Sequence, residues 1–365
     1  MSLTAGIVGL PNVGKSTLFN AITKQSILAA NYPFATIEPN QGMVTVPDKR
    51  VTFLEKLYKP KKTIPATFEF TDIAGLVEGA SKGEGLRNKF LSHIREVDAI
   101  CEVVRCFNDD NITHVTGNVD PLRDVSIIEL ELILADLEVV ENRLDRIGRK
   151  AKLSNDKEAK AEALILERVK ETLLSNKSIR TLSLTDDEIK ILKPFNLLTI
   201  KPIIYVANVS EEEVTEENEY VKVLKEFASK EDSEVVVICA KIEAELSELE
   251  DDERIEFLRE LGIEESGLDK LIKSGYSLLG LETFLTAGED EVRAWTFKKG
   301  MKAPECAGII HTDFQRGFIK AEIMSFDDLE KYGTESKVKE AGRLRLEGKE
   351  YVMQDGDICY FRFNV

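Results

Sequence analysis

Apolar and polar positions along this chain follow two alternating rhythms. Short strand-like runs occur at Ala5 to Val8, Thr67 to Thr71, Ala99 to Val104, Ile203 to Ala207 and Val235 to Cys239, each of the length of a buried strand. Between them lie stretches with helical spacing, the first from Lys15 to Ile22. Strands that alternate with helices predict an α/β domain doubly wound around a parallel sheet. The alternation is then interrupted. Leu130, Ile133, Leu137, Val140, Leu144 and Ile147 repeat at three- and four-residue steps, the seam of a long helix. After the polar break Ser154-Asn155-Asp156, a second helical pattern runs from Lys157 to Leu174, with Ala163, Leu166, Val169 and Leu173 on one side. Because the strand pattern resumes at Ile203, these two helices form an antiparallel hairpin inserted into the sheet domain. From about Glu282 the texture changes to short alternating runs, Val292 to Phe297, Gly317 to Ile323 and Ile358 to Phe363, which predict a mixed sheet of about 80 residues. The expected organisation is a sheet domain of residues 1–125 and 198–280, a helical insertion of residues 126–197, and a C-terminal module of residues 281–365.

Composition sharpens this picture in three places. No basic start with a long apolar run suggests a signal peptide, and no segment approaches the roughly 18 apolar residues of a membrane span, so a soluble cytoplasmic protein is expected. Cys101, Cys106, Cys239, Cys306 and Cys359 are odd in number and lack metal-ligand spacing, which reads as buried free thiols in a reducing compartment. The formal charge of −17 is unevenly spread: 13 basic against 13 acidic residues in 1–120, 23 against 37 in 121–281, and 13 against 16 in 282–365. The acidity belongs to the middle of the chain, where Glu211, Glu212, Glu213, Glu216 and Glu217 read as a solvated face. It therefore does not decide what the C-terminal module meets.

The chemistry is concentrated at strand ends. Gly9 to Ser16, GLPNVGKS, matches the phosphate-binding loop GxxxxGK[ST] between a strand and a helix. Gly9 and Gly14 let several N–H groups turn towards one phosphate chain, and the helix N-terminus adds its positive end. Lys15 neutralises the β- and γ-phosphates and the Ser16 hydroxyl ligates Mg²⁺. Nucleotide contacts are assigned to Asn12, Val13, Gly14, Lys15, Ser16 and Thr17. Asp72-Ile-Ala-Gly75 has DxxG spacing at a second strand end: the carboxylate approaches Mg²⁺ through water and the Gly75 N–H reaches the γ-phosphate. Thr36, in NYPFATIEPN, is the natural second hydroxyl ligand of Mg²⁺. An adjoining monovalent cation beside Asn12 is left open.

These motifs, together with GLVEGASKGEGL (Gly75 to Leu86), the helical hairpin, TAGEDEVRAWTF, GFIKAE and the FRFNV end, span nearly the whole chain. They resemble the Obg-related translation-factor GTPases and, within them, the YchF or Obg-like ATPase subfamily. The resemblance implies a P-loop GTPase-like parallel sheet with an inserted helical hairpin, a C-terminal β-grasp (TGS) domain, ATP in preference to GTP, and the ribosome or ribosomal RNA as partner. No membrane or DNA partner is expected, and the oligomeric state is left open, with a monomer as the default. One position departs: Arg87 stands where a small residue is expected.

Two departures from the general GTPase pattern bear on chemistry. In place of the base-reading NKxD, this chain has Asn208-Val209-Ser210-Glu211. Val209 removes the lysine that stacks over the base, and Glu211 is one methylene longer than the aspartate that fits guanine, so guanine selectivity should be lost, a difference of about 1–3 kcal/mol. The resemblance adds ATP preference, carried onto Asn208, Val209 and Glu211. Secondly, Leu76 follows DxxG where many GTPases place a water-orienting glutamine. Of three histidines, His93 lies in a helical pattern and His311 in the C-terminal module, whereas His114 lies in a loop after a sheet strand and is the candidate for positioning water, alongside Lys15 and Gly75 as catalytic groups. Lys298, Lys299, Arg316, Lys320, Arg343 and Arg345 are candidate phosphate contacts in the TGS-like module. The expected activity is an Mg²⁺-dependent ATP-hydrolysing switch. A ribosome- or RNA-binding adaptor with structural nucleotide, and a GTP-preferring enzyme, remain open.

Overall fold

The buried strand ends predicted above line up in one sheet. The computed structural model describes residues 3–29, 40–74, 84–109, 111–112, 117–153 and 156–364. In chain order the first elements are β1 (Thr4–Gly9), α1 (Lys15–Ala29), β2 (Gln41–Thr45), α2 (Lys49–Tyr58), β3 (Lys62–Ile64), β4 (Thr67–Asp72), α3 (Glu84–Glu96), β5 (Ala99–Arg105), α4 (Pro121–Leu153), α5 (Lys157–Leu174) and α6 (Asp186–Leu192). They are followed by β6 (Ile203–Asn208), α7 (Glu219–Ser229), β7 (Glu234–Ile238), α8 (Ala240–Leu246), α9 (Asp251–Glu260) and α10 (Gly267–Leu278). The first sheet has the order β2-β4-β1-β5-β6-β7, and β4, β1, β5, β6 and β7 run parallel. β5 and β6 are buried along their whole length, as strands covered on both faces must be. The α/β class with a parallel sheet is therefore observed.

The hairpin departs from its expected shape in detail. α4 has 33 residues, about 50 Å at 1.5 Å per residue. Asp156 caps α5 by accepting from the Glu158 and Ala159 N–H groups, the reason a polar break starts a new helix here. Ile133 and Val140 of α4 pack with Ile165, Leu166, Val169 and Leu173 of α5. Lys170 pairs with Glu141 at 2.9 Å and Arg143 with Glu162 at 3.0 Å along the edge. Leu130, expected in the seam, is 45 % exposed, and Ile165, not Ala163, supplies the buried contact. The heptad count holds along α4, with Ile147 buried, but drifts at its N-terminal end because a straight helix has 3.6 residues per turn.

By its internal contacts the chain forms two compact units. One comprises residues 1–27, 37–42 and 69–275, the other residues 28–36, 43–68 and 276–365. The second contains β8 (Leu281–Ala287), β9 (Glu291–Lys298), α11 (Ala303–Ile310), α12 (Thr312–Arg316), β10 (Phe318–Ser325), α13 (Phe326–Tyr332), α14 (Glu335–Glu340), β11 (Arg345–Glu347) and β12 (Asp357–Phe363). Its mixed sheet has the order β11-β10-β12-β8-β9-β3. Phe284, Phe297, Phe318 and Phe361 fill the core beneath α11. The segment around α2 and β3 contributes through β3, parallel to β9, and through Phe53, edge-on to Phe326 at 5.3 Å between ring centroids.

Candidate nucleotide site

In a parallel sheet the loops that follow the strands gather at the carboxyl edge, where open α/β sheets bind ligands. Register places those loops side by side: Ile7 of β1 is opposite Asp72 of β4, Gly9 opposite Val103 of β5, and Arg105 opposite Asn208 of β6. The phosphate loop leaves β1 through Asn12 at φ 63° and Gly14 at φ 95°. The left-handed region is readily open only to glycine and, less freely, asparagine. Gly14 has a second reason to lack a side chain, since a Cβ there would lie 2.2 Å from the Asn208 Nδ2. The Leu18 N–H reaches the Gly14 carbonyl at 3.0 Å, the first turn of α1. The N–H groups of that turn have no carbonyl a turn earlier, which suits them to phosphate oxygens.

The side chains follow. Ser16 and Thr17 are exposed on that first turn, and Val13 is buried. The Lys15 ammonium is ion-paired with the Asp72 carboxylate, so the loop lysine and the DxxG aspartate meet. The Asp72 N–H donates to the Asn40 carbonyl at 2.8 Å, which brings the end of the NYPFATIEPN segment to the same edge. Thr36, Gly75, Leu76 and His114 lie outside the described residues. Ser16 and Asp72 are hard oxygen donors. Among the described residues no group of three or more His, Cys, Asp and Glu forms a cage. Such a donor set fits Mg²⁺, which takes one or two protein ligands and fills its shell with phosphate and water.

The Asn208-to-Glu211 segment is divided by the fold. The Asn208 amide donates to the Val13 carbonyl at 2.8 Å and accepts from the Ala240 N–H at 2.9 Å. It is 4 % exposed, so it braces the phosphate loop against the end of β7. Val209 is buried, with its N–H on the Ile238 carbonyl. Glu211 opens a short 3₁₀ turn and its carboxylate pairs with Lys241 at 2.8 Å. The structure thus brings Asn208, Lys15 and Asp72 to the loop and turns Glu211 towards α8. Ala240 and Lys241 escaped the sequence reading, although their place directly after a sheet strand was the signal that could have found them.

One further buried group shapes this edge. Arg105, 1 % exposed at the end of β5, donates to the carbonyls of Phe107, Asp109 and Ile112 at 3.1, 3.2 and 3.0 Å. It folds the start of the loop that leads towards His114. Arg87 of α3 pairs with Glu131 of α4 at 2.5 Å, a role that accounts for a long basic residue at that position. In the second unit four of the six basic candidates are ion-paired. Lys299, Arg316, Arg343 and Arg345 each face a carboxylate, Glu282, Asp313, Asp328 and Asp357, between 3.2 and 3.9 Å. All five cysteines are free and buried, as expected. Among the described residues no helix is long and apolar enough to cross a membrane.

Comparison with known proteins bears on the fold and the family. Residues 4–138 match a family model described as a 50S ribosome-binding GTPase, and residues 281–364 match the C-terminal model of the YchF GTPases, described as a protein of unknown function. The chain is 63 % identical over 367 residues to the ribosome-binding ATPase YchF of Bacillus subtilis (strain 168), covering 100 % of both. It is 48 % identical to Obg-like ATPase 1 of Oryza sativa subsp. japonica, covering 100 % of this chain and 92 % of the rice protein. The solved structure of the Schizosaccharomyces pombe YchF GTPase superposes with a TM-score of 0.90 at 44 % identity, over 99 % of this chain and 98 % of that one. With full-length identity at this level and a phosphate loop, DxxG aspartate and braced Asn208 at one sheet edge, the chain belongs to the YchF / Obg-like ATPase family.

Proposed function

We propose that this chain is an Mg²⁺-dependent ATP-hydrolysing switch that prefers ATP to GTP and acts on the ribosome in the cytoplasm. The observation that carries the ATP reading is the pairing of Glu211 with Lys241: the carboxylate that would have to receive guanine is held by a neighbouring ammonium. Buried Val209 offers no lysine to lie over a base. The ribosome reading is supported by the bacterial relatives, which are named ribosome-binding ATPases.

In this reading the loop N–H groups from Val13 to Thr17 and the Lys15 ammonium hold the phosphates, while Asn208 keeps the loop in shape. Ser16 and Thr36 would hold Mg²⁺ directly and Asp72 through water, and the ion would supply screening of the phosphate charge. Gly75 senses the γ-phosphate through its N–H, and His114 positions the water that Leu76 cannot. Release of the Thr36 and Asp72 segments after hydrolysis changes the surface offered to the partner.

The deciding experiment titrates the purified protein with ATP and GTP and follows phosphate release with and without Mg²⁺. Tighter ATP binding with Mg²⁺-dependent turnover, lost in His114→Ala with ATP affinity retained, is the expected result. Clear GTP preference would overturn the base reading in favour of the GTP-preferring rival, which the naming of the Schizosaccharomyces pombe YchF GTPase and of the ribosome-binding GTPase family supports. Co-sedimentation with ribosomes that ignores nucleotide would instead make the chain an adaptor.

A further inference from the structure

We propose that the second unit carries a docking groove for a cationic, partly apolar peptide segment of a partner protein. The groove encloses about 790 Å³, within the range of about 300–1,000 Å³ typical of pre-formed sites. Its apolar side is aromatic and partly open to solvent. Tyr360 is 58 % and Phe363 40 % exposed, although both lie on β12 in the middle of the sheet; three residues apart, they line the groove from opposite faces of that strand. Phe363 stacks on Phe314 with ring centroids 4.0 Å apart, and the Trp295 indole N–H is fixed on the Thr286 hydroxyl at 2.9 Å. These rings are therefore held in place before anything binds.

The charge around them decides the occupant. Glu289, Asp290, Glu291, Glu322 and Glu335 line the groove, against Arg362 as the one basic lining residue among the described residues. Arg362 is bound to Glu322 at 2.9 Å, and Asp290 meets Lys61 at 2.7 Å. Glu289 and Glu335 are exposed and have no ion-pair partner among the described residues. Exposed aromatic rings alone would suit nucleic-acid bases as well as a peptide. A nucleic-acid strand, however, brings one phosphate per nucleotide and needs basic partners for it, whereas this groove presents a surplus of carboxylates. Lysine or arginine side chains gain from the carboxylates by charge complementarity, while the Trp295 and Tyr360 rings, which already carry Arg293 at 3.8 Å and Arg362 at 4.4 Å, leave apolar edges for the aliphatic stems. The groove lies wholly in the second unit, so the inference stands independently of the nucleotide chemistry proposed above.

The test uses the full-length protein and a fluorescein-labelled peptide alternating lysine with leucine, followed by fluorescence polarisation. The same peptide with glutamine in place of lysine, and an oligouridylate, serve as competitors. We expect saturable binding of the lysine peptide that weakens with salt, and no displacement by either competitor. Glu289→Lys combined with Glu335→Lys should weaken it about tenfold, the scale of two or three exposed charge contacts. Tyr360→Ser should weaken it while leaving the salt dependence in place. The milder Glu289→Gln with Glu335→Gln guards against misfolding, with urea midpoints as the check. Equal binding of the glutamine peptide, displacement by oligouridylate, absence of binding, or unchanged affinity in the folded charge variants would each overturn the proposal. Failure of ATP turnover would strike the proposed function and leave the groove untouched.

Discussion

The brace between Asn208 and the phosphate loop offers the sharpest test of how this site is held. Asn208→Ala removes two hydrogen bonds of 2.8 and 2.9 Å from a buried amide. It leaves the Val13 carbonyl and the Ala240 N–H facing a small void. An unsatisfied buried backbone group costs about 1–3 kcal/mol, and partial entry of water into the space left by the amide lowers the sum, so a loss of about 2–4 kcal/mol in unfolding free energy is predicted. Because Val13 belongs to the phosphate loop, ATP and GTP affinities should fall together. Urea unfolding followed by circular dichroism gives the first quantity, and nucleotide titration calorimetry the second. If stability changed by less than about 0.5 kcal/mol, within the range of an ordinary surface substitution, the amide would not be the brace described. If the ratio of ATP to GTP affinity changed while stability held, Asn208 would be reading the base and the assignment would be wrong.

Three further predictions test separate parts of the fold. Glu243 is buried, with Oε1 accepting from the Gly267 N–H at 2.7 Å and Oε2 without a partner among the described residues. Burial pushes its carboxyl from the ordinary 4.5 up to about 7. A carboxyl with a raised folded pKa holds its proton longer in the folded chain, so its cost to stability grows as pH rises through that window and is complete above it. Glu243→Gln should therefore match the wild type at about pH 4 and exceed it at pH 8 by up to about 3 kcal/mol in urea unfolding; a gap that does not depend on pH would refute this. Arg105→Met should cost about 2–4 kcal/mol by orphaning three carbonyls and lower turnover more than ATP affinity, whereas normal kinetics would detach Arg105 from the His114 loop. Leu166→Ala, at the fully buried contact of α4 with α5, should cost about 2–5 kcal/mol, read as a lower thermal midpoint, and a change smaller than that of an exposed Leu164→Ala control would contradict the packing described.

How much of this was legible beforehand follows from the range over which each feature is encoded. The phosphate loop is eight contiguous residues whose glycines and lysine carry their own backbone and charge requirements, so Gly9 to Ser16 could be located from the chain alone. The same holds for the buried strands and for the two helices of the hairpin, because side-chain period is a local property. Guanine-reading residues could be seen to be absent at Val209 and Glu211 for the same reason. Tertiary structure alone decided which groups meet. Asn208 and Val13 are 195 residues apart, and the partner of a hydrogen bond at that separation is set by strand order and register, not by any local pattern. Register likewise brought Asp72 beside Lys15 and Glu211 within reach of Lys241, while the 3.6-residue turn of α4 left Leu130 exposed where the heptad count placed it in a seam. The allotment of residues 43–68 to the second unit, through β3 on β9, was equally beyond local pattern. So was the aromatic groove, whose residues are scattered from Thr286 to Phe363 and become a surface only when the sheet closes around its core.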